Sequence, residues 1–99
     1  MKADSYYGFF SNLSNKTKMA IIAELMKGPL NSTEIARRIN EEQSKVSHSL
    51  RKLAHCKILD VKRQGKQRIY SLNEITIMPI MKTVEKHLKN YCKKGRCNS

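Results

Sequence analysis

Apolar positions along the chain change period twice, and the changes mark out its elements. Tyr6, Phe9, Phe10 and Leu13 share one face of a helix, and four of the six aromatic residues fall between Tyr6 and Phe10. Asn15 is placed to cap a second helix, in which Met19, Ile21, Ile22, Leu25 and Met26 form a wide apolar face. Gly28-Pro29 should end it, because glycine tolerates a left-handed cap and proline cannot continue the hydrogen-bond ladder. Asn31-Ser-Thr-Glu34 reads as a capping box, with Glu34 reaching back to the cap, before a short helix with Ile35, Ala36 and Ile39 inward. After a turn at Asn40-Glu41, Val46, Leu50, Leu53 and Ala54 predict a helix over about 42–55. Cys56, between Leu53 and Ile58, reads as a small buried residue. The period then drops towards two: Leu59 and Val61 alternate with polar neighbours, and Ile69, Tyr70 and Leu72 follow a turn at Gly65, which predicts a hairpin. Ile77, Met81, Val84, Leu88 and Tyr91 close the chain on a helix over about 78–92, with Ile80 beside them and Pro79 in its first turn. The expected fold is mostly α with a small β-hairpin (α+β), in the order α-α-α-α-β-β-α.

A chain of 99 residues supports one domain. We expect it to occupy residues 1–92 with a basic, cysteine-containing tail at 93–99. No run approaches the roughly 20 apolar residues of a membrane span, and Met1 to Phe10 lacks the long apolar stretch of a secretory signal. Three cysteines, an odd number, argue against a closed disulfide framework and favour a cytoplasmic protein. No long glycine-rich phosphate loop and no His-Glu-x-x-His pair occurs, and the scattered carboxylates offer no nucleophile–base pair, so an enzyme is not expected.

Charge changes the picture most. Twenty Lys+Arg against eight Asp+Glu give a net charge of +12, which points to a polyanion partner. The surplus is densest around Gly65, where Lys62, Arg63, Lys66 and Arg68 meet no acid between 61 and 72. The helix before it turns Ser44, His48, Arg51, Lys52 and His55 away from its apolar face, again without an acid.

In this order of elements the chain resembles a winged helix–turn–helix of the ArsR/SmtB class of transcriptional regulators, over about residues 5–92. Residues Leu13 to Ile22 are similar to the family's helix start. Residues 43–53, with Ser44, Val46, Ser47, Leu50 and Leu53, are similar to its recognition helix. Residues 63–70, with Gly65 at the tip and Tyr70 at the return, are similar to its wing. Lys57 stands where the family usually has Gly, Glu41 where it has an apolar residue, and Ser49 where it often has His. The family's Cys-x-Cys metal motif has no counterpart around 32–39. Of its C-terminal-helix site only Glu74 and His87 are matched, with Thr76 and Asn90 at the other two places.

The resemblance and the charge together imply a dimeric, sequence-specific regulator of duplex DNA, expected to repress by occupying an operator and found on the nucleoid when bound. Arg51 is the expected base reader, since its fork can bond guanine O6 and N7 together. Ser44 and His48 follow, and Lys45, Ser47 and Lys52 are expected on phosphates. Lys62, Arg63, Lys66, Gln67 and Arg68 are the expected wing contacts. Tyr6, Phe9, Phe10, Leu13, Met81, Val84, Leu88 and Tyr91 are the expected dimer interface. No cofactor is required. His87, Cys92 and Cys97 form His-x4-Cys-x4-Cys, which reads first as an inert end, then as a thiol redox switch beside Lys93, Lys94 and Arg96, and last as a set of soft metal ligands. Two rival readings are a low-specificity, chromatin-like DNA coat and an RNA-binding winged helix.

Overall fold

A computed structural model describes residues 1–92. Its elements are α1 (Ala3–Leu13), α2 (Lys16–Leu25), β1 (Leu30–Asn31), α3 (Ser32–Ile39), α4 (Gln43–His55), β2 (Leu59–Gln64), β3 (Gln67–Leu72) and α5 (Ile77–Tyr91). The predicted elements are all present, and a two-residue strand, β1, is added to them. It pairs antiparallel with β3, Leu30 opposite Tyr70 and Asn31 opposite Ile69, so the hairpin becomes a three-stranded sheet in the order β1-β3-β2. Two residues are too few for an alternation to be seen in sequence. The hairpin itself runs in register from Leu59 opposite Leu72 to Gln64 opposite Gln67.

The core lies where α2, α3 and α4 meet the base of the sheet. Ile21, Ile22, Leu25, Ile35, Val46, Leu50, Leu53, Ile58, Leu59 and Leu72 are buried there. Each such side chain contributes roughly 1.5–3 kcal/mol relative to exposure. The terminal helices reach this core through few residues. Leu13 belongs to it from α1 and Ile77 from α5, while Phe9, Met78 and Met81 pack against its rim.

Helix ends depart from the sequence expectations in three places. Asn15 and Asn31 cap α2 and α3 by accepting the backbone N–H groups of Lys18 and Glu34, as expected. Glu34, however, does not reach back to Asn31; its carboxylate pairs with Arg37 and Arg38 on the next turn, where two guanidinium groups outweigh one amide N–H. Helix α2 ends at Leu25 with Met26 still in a right-handed conformation, so Gly28, at φ 149°, serves the following turn rather than the cap. Cys56 is exposed rather than buried. The inward face of α4 runs through Val46, Leu50 and Leu53; beyond it the chain reverses and buries Ile58 instead.

The two helices of the helix–turn–helix end in the same way without glycine. Asn40 at φ 56° and Lys57 at φ 60° take the left-handed position. Glu41 N–H donates to Ala36 O and Ile58 N–H to Leu53 O, closing the six-to-one bond of a Schellman motif at each end.

Candidate nucleic-acid interface

The outward face of α4 is set by what its inward face buries. With Val46, Ser49, Leu50 and Leu53 turned inward, Ser44, Lys45, His48, Arg51 and Lys52 are exposed and Ser47 is half-buried. All six residues expected to contact DNA from this helix therefore remain within reach of a ligand. Every residue from Val61 to Arg68 is exposed as well, so Lys62, Arg63, Lys66, Gln67 and Arg68 line a protruding hairpin whose tip turns at Gly65, φ 60°.

These two surfaces meet. A cleft of about 590 Å³ is lined by Ser44, Ser47 and Arg51 of α4, by Lys66, Gln67, Arg68 and Tyr70 of the hairpin, and by Asn31, Ser32 and Thr33 at the start of α3. No carboxylate lines it. The start of α3 is the part sequence reasoning missed. Its only signal was the cap at Asn31, which located a helix end and not a shared wall. Two side-chain bonds tie this wall together: Asn31 Nδ2 donates to Gln67 Oε1 at 3.4 Å, and Gln43 Nε2 donates to Thr33 Oγ1 at 3.0 Å.

Arg51 stands on a ridge, because it also borders a second cleft, of about 490 Å³, shared with Asn12, His48, Lys52, His55 and Cys56. His48 and Lys52 thus face the end of α1 rather than the wing. Asn12 orders that side, donating from Nδ2 to Cys56 Sγ at 3.3 Å and accepting from Lys18 Nζ at 2.7 Å.

Three carboxylates among the described residues are engaged in ion pairs. Glu24 pairs with Lys27 and Arg38, Glu34 with Arg37 and Arg38, and Glu41 with Lys45. Among the described residues, Arg51, Lys52, Lys62, Arg63, Lys66 and Arg68 have no carboxylate within ion-pair distance. Of the expected contacts, Lys45 is held by Glu41 in an exposed pair at 3.4 Å that costs little to exchange, and the Ser44 hydroxyl donates to Glu42 Oε1 at 3.5 Å. Glu41 also accepts from the buried Thr17 hydroxyl at 3.2 Å, which explains a carboxylate at a turn position where the resembled family carries an apolar residue.

The expected interface helices divide. Tyr6, Phe10, Val84, Leu88 and Tyr91 are exposed, whereas Leu13 is in the core and Phe9 and Met81 are partly covered by it. His87 lies against Tyr91, ring centroids 5.1 Å apart. Cys92 caps α5, and Cys97 lies outside the described residues. Among the described residues, no group of three or more His, Cys, Asp or Glu is placed to hold a metal ion. Among them, too, no helix is long and apolar enough to cross a membrane.

Comparison with known proteins agrees with this architecture. Residues 15–61 match the family described as bacterial regulatory protein, arsR family. The HTH-type transcriptional regulator NmtR of Mycobacterium tuberculosis is 33% identical over 69 residues, which cover 70% of this chain and 58% of that one. A transcriptional repressor SmtB homolog of Synechocystis is 28% identical over 81 residues, covering 82% and 61%. The chain therefore spans about three fifths of the length of these two relatives. The solution structure of apo-NmtR superposes with a TM-score of 0.75 at 29% identity, covering 88% of this chain and 73% of that one. The winged helix–turn–helix fragment of Mb0332 from Mycobacterium bovis, at 17% identity, shares the fold with a TM-score of 0.80 over 90% and 82% of the two chains. The match runs from α2 to the start of β2 and takes in the α3 and α4 walls of the cleft: residues 15–61 are an ArsR-family helix–turn–helix domain, and the chain as a whole is an ArsR/SmtB-like winged helix.

Proposed function

We propose that this protein is a dimeric, sequence-specific binder of duplex DNA that represses transcription by occupying an operator in the cytoplasm. One observation carries the reading: α4, the start of α3 and the hairpin converge on one acid-free cleft bordered by Arg51, Lys66 and Arg68. A helix presenting donors beside a cationic hairpin fits a major groove with its flanking phosphates. The exposed apolar residues of α1 and α5 support the dimer, since Tyr6, Phe10, Val84 and Leu88 present their side chains to solvent among the described residues. Two copies related by a two-fold axis present two α4 helices to half-sites one helical turn apart. The names of the relatives, a transcriptional regulator and a transcriptional repressor homolog, support a regulatory role and repression in particular.

The test is selection of duplexes from a random pool followed by anisotropy titration at fixed salt. A regulator binds the selected duplex about a thousandfold or more tighter than a random one. Equal affinity for both supports instead a low-specificity coat, and preference for an RNA hairpin over duplex DNA supports the RNA reading.

Regulation by a metal at α5 finds no support in the donor set. Glu74 and His87 have only Thr76 and Asn90 beside them in the resembled pattern, and neither is a good ligand for zinc. A thiol or metal response at His87, Cys92 and Cys97 stays part of the proposal for the end of the chain.

A further inference from the structure

We propose that Asn31 is a positioning residue that sets the wing against the recognition helix, an inference that rests on the DNA reading above. Asn31 is at once the last residue of β1 and the cap of α3, so no linker separates the sheet from the helix–turn–helix. Its backbone is paired with Ile69 on β3, the strand that leads out of the wing tip. Its side chain works in two directions. Oδ1 accepts the Glu34 N–H at 2.8 Å and fixes the first turn of α3. Nδ2 donates to Gln67 Oε1 at 3.4 Å and holds the first residue of β3. Two residues on, in the same first turn of α3, Thr33 accepts from Gln43, the first residue of α4. The first turn of α3 is therefore a common mount: Gln67 and the wing hang from it through Asn31, and α4 through Thr33. Asn31, Thr33 and Gln67 line the cleft itself, so a change in the mount changes the width of the surface offered to DNA.

A residue that merely caps a helix predicts something different from one that joins two elements, and substitutions separate the two. Asn31→Ser keeps a hydroxyl acceptor for the α3 N–H groups but is too short to reach Gln67. Gln67→Ala removes the far end without touching the cap. Asn31→Asp is the rescue variant: its carboxylate accepts the Glu34 N–H, and the Gln67 amide, turned over, donates to it.

Residual dipolar couplings of backbone amides, measured on the free protein, report the orientation of β2 and β3 relative to α4. In the parent and in Asn31→Asp, wing and helix fit one alignment. In Asn31→Ser and Gln67→Ala, the wing couplings depart from the alignment fitted to α2, α3 and α4. Affinity of Asn31→Ser for the duplex selected by the parent falls about three- to tenfold relative to a random duplex, the size of a coupling between neighbouring groups. Wing couplings unchanged in both Asn31→Ser and Gln67→Ala overturn the proposal, whatever DNA binding does. Couplings that change in a protein whose parent has no affinity for duplex DNA leave Asn31 as the joint and overturn the DNA reading instead.

Discussion

Lys57 holds a left-handed backbone at φ 60°, a conformation that strains any residue with a Cβ and that the resembled family gives to glycine. The strain is sustained because the turn must bring Ile58 from the end of α4 into the core and let its N–H close on Leu53. Lys57→Gly removes the strain, and the greater chain entropy of glycine in the unfolded state offsets part of the gain. The net expectation is about 0.5–1 kcal/mol of added stability, read as a rise in the urea midpoint with an unchanged slope. A lower midpoint would mean that the lysine side chain itself stabilises the turn. Arg51 poses the opposite kind of question, one of contact rather than strain. It is exposed, lacks a carboxylate partner among the described residues and borders both clefts. Arg51→Ala is expected to cost about 1–3 kcal/mol on the selected duplex and to relax preference at one base pair. Equal losses on selected and random duplexes would reduce Arg51 to a phosphate contact.

At the scale of elements, the helices and the hairpin were legible because each carries a periodic apolar pattern, and α2 and α3 also a capping residue that acts locally. Asn15 and Asn31 cap through neighbours three residues away, and such bonds can be read from spacing alone. What could not be read depends on partners distant in sequence. Strand β1 exists only because Ile69 and Tyr70 return to pair with it. Thr17 is buried against Glu41 across 24 residues, and the start of α3 joins the cleft only when the hairpin folds over it. Ser44, His48, Arg51 and Lys52 lie exposed on the face opposite Val46, Leu50 and Leu53, with Ser47 half-buried on its flank, since the wheel that finds the core also finds its opposite; the division of these residues between two clefts was not visible. The wing offers the cleanest electrostatic test. Lys66→Ala combined with Arg68→Ala is expected to weaken binding to every duplex alike and to flatten the dependence of log K on log salt by up to about two units. An unchanged slope would detach the wing from the phosphates.

At the scale of the molecule, the described core is built by the middle of the chain, and the two end helices are attached to it by few residues. Val84, Leu88 and Tyr91 lie exposed along one stripe of α5, and Tyr6 and Phe10 lie exposed on α1. Leu88→Glu leaves the core intact and places a charge in that stripe. It is expected to give a folded monomer in sedimentation and to abolish tight operator binding, because two separate half-sites lose the effective concentration that a dimer supplies. A monomeric parent at micromolar concentration would remove the dimer from the proposal. A response to oxidant or to a thiophilic metal is tested by Cys92→Ser with Cys97→Ser. If this end senses oxidant or metal, the parent changes its operator affinity between reductant and mild oxidant, or on adding zinc, by a coupling of about 1–3 kcal/mol, and the double variant does not. Identical behaviour of the two proteins in every condition would make these cysteines inert as sensors.

The acid-free cleft also governs how fast a partner arrives. A surface whose cations face outward with no carboxylate between them projects its field beyond van der Waals contact, and at +12 the whole molecule is drawn towards a polyanion before any bond forms. Steered encounters of this kind reach about 10⁸–10⁹ M⁻¹s⁻¹ at low ionic strength and slow as the Debye length shrinks. The search for a site would then be set by ionic strength and the residence on it by the hydrogen bonds of α4, so that one small protein divides the speed of finding DNA and the patience of holding it between two sets of side chains.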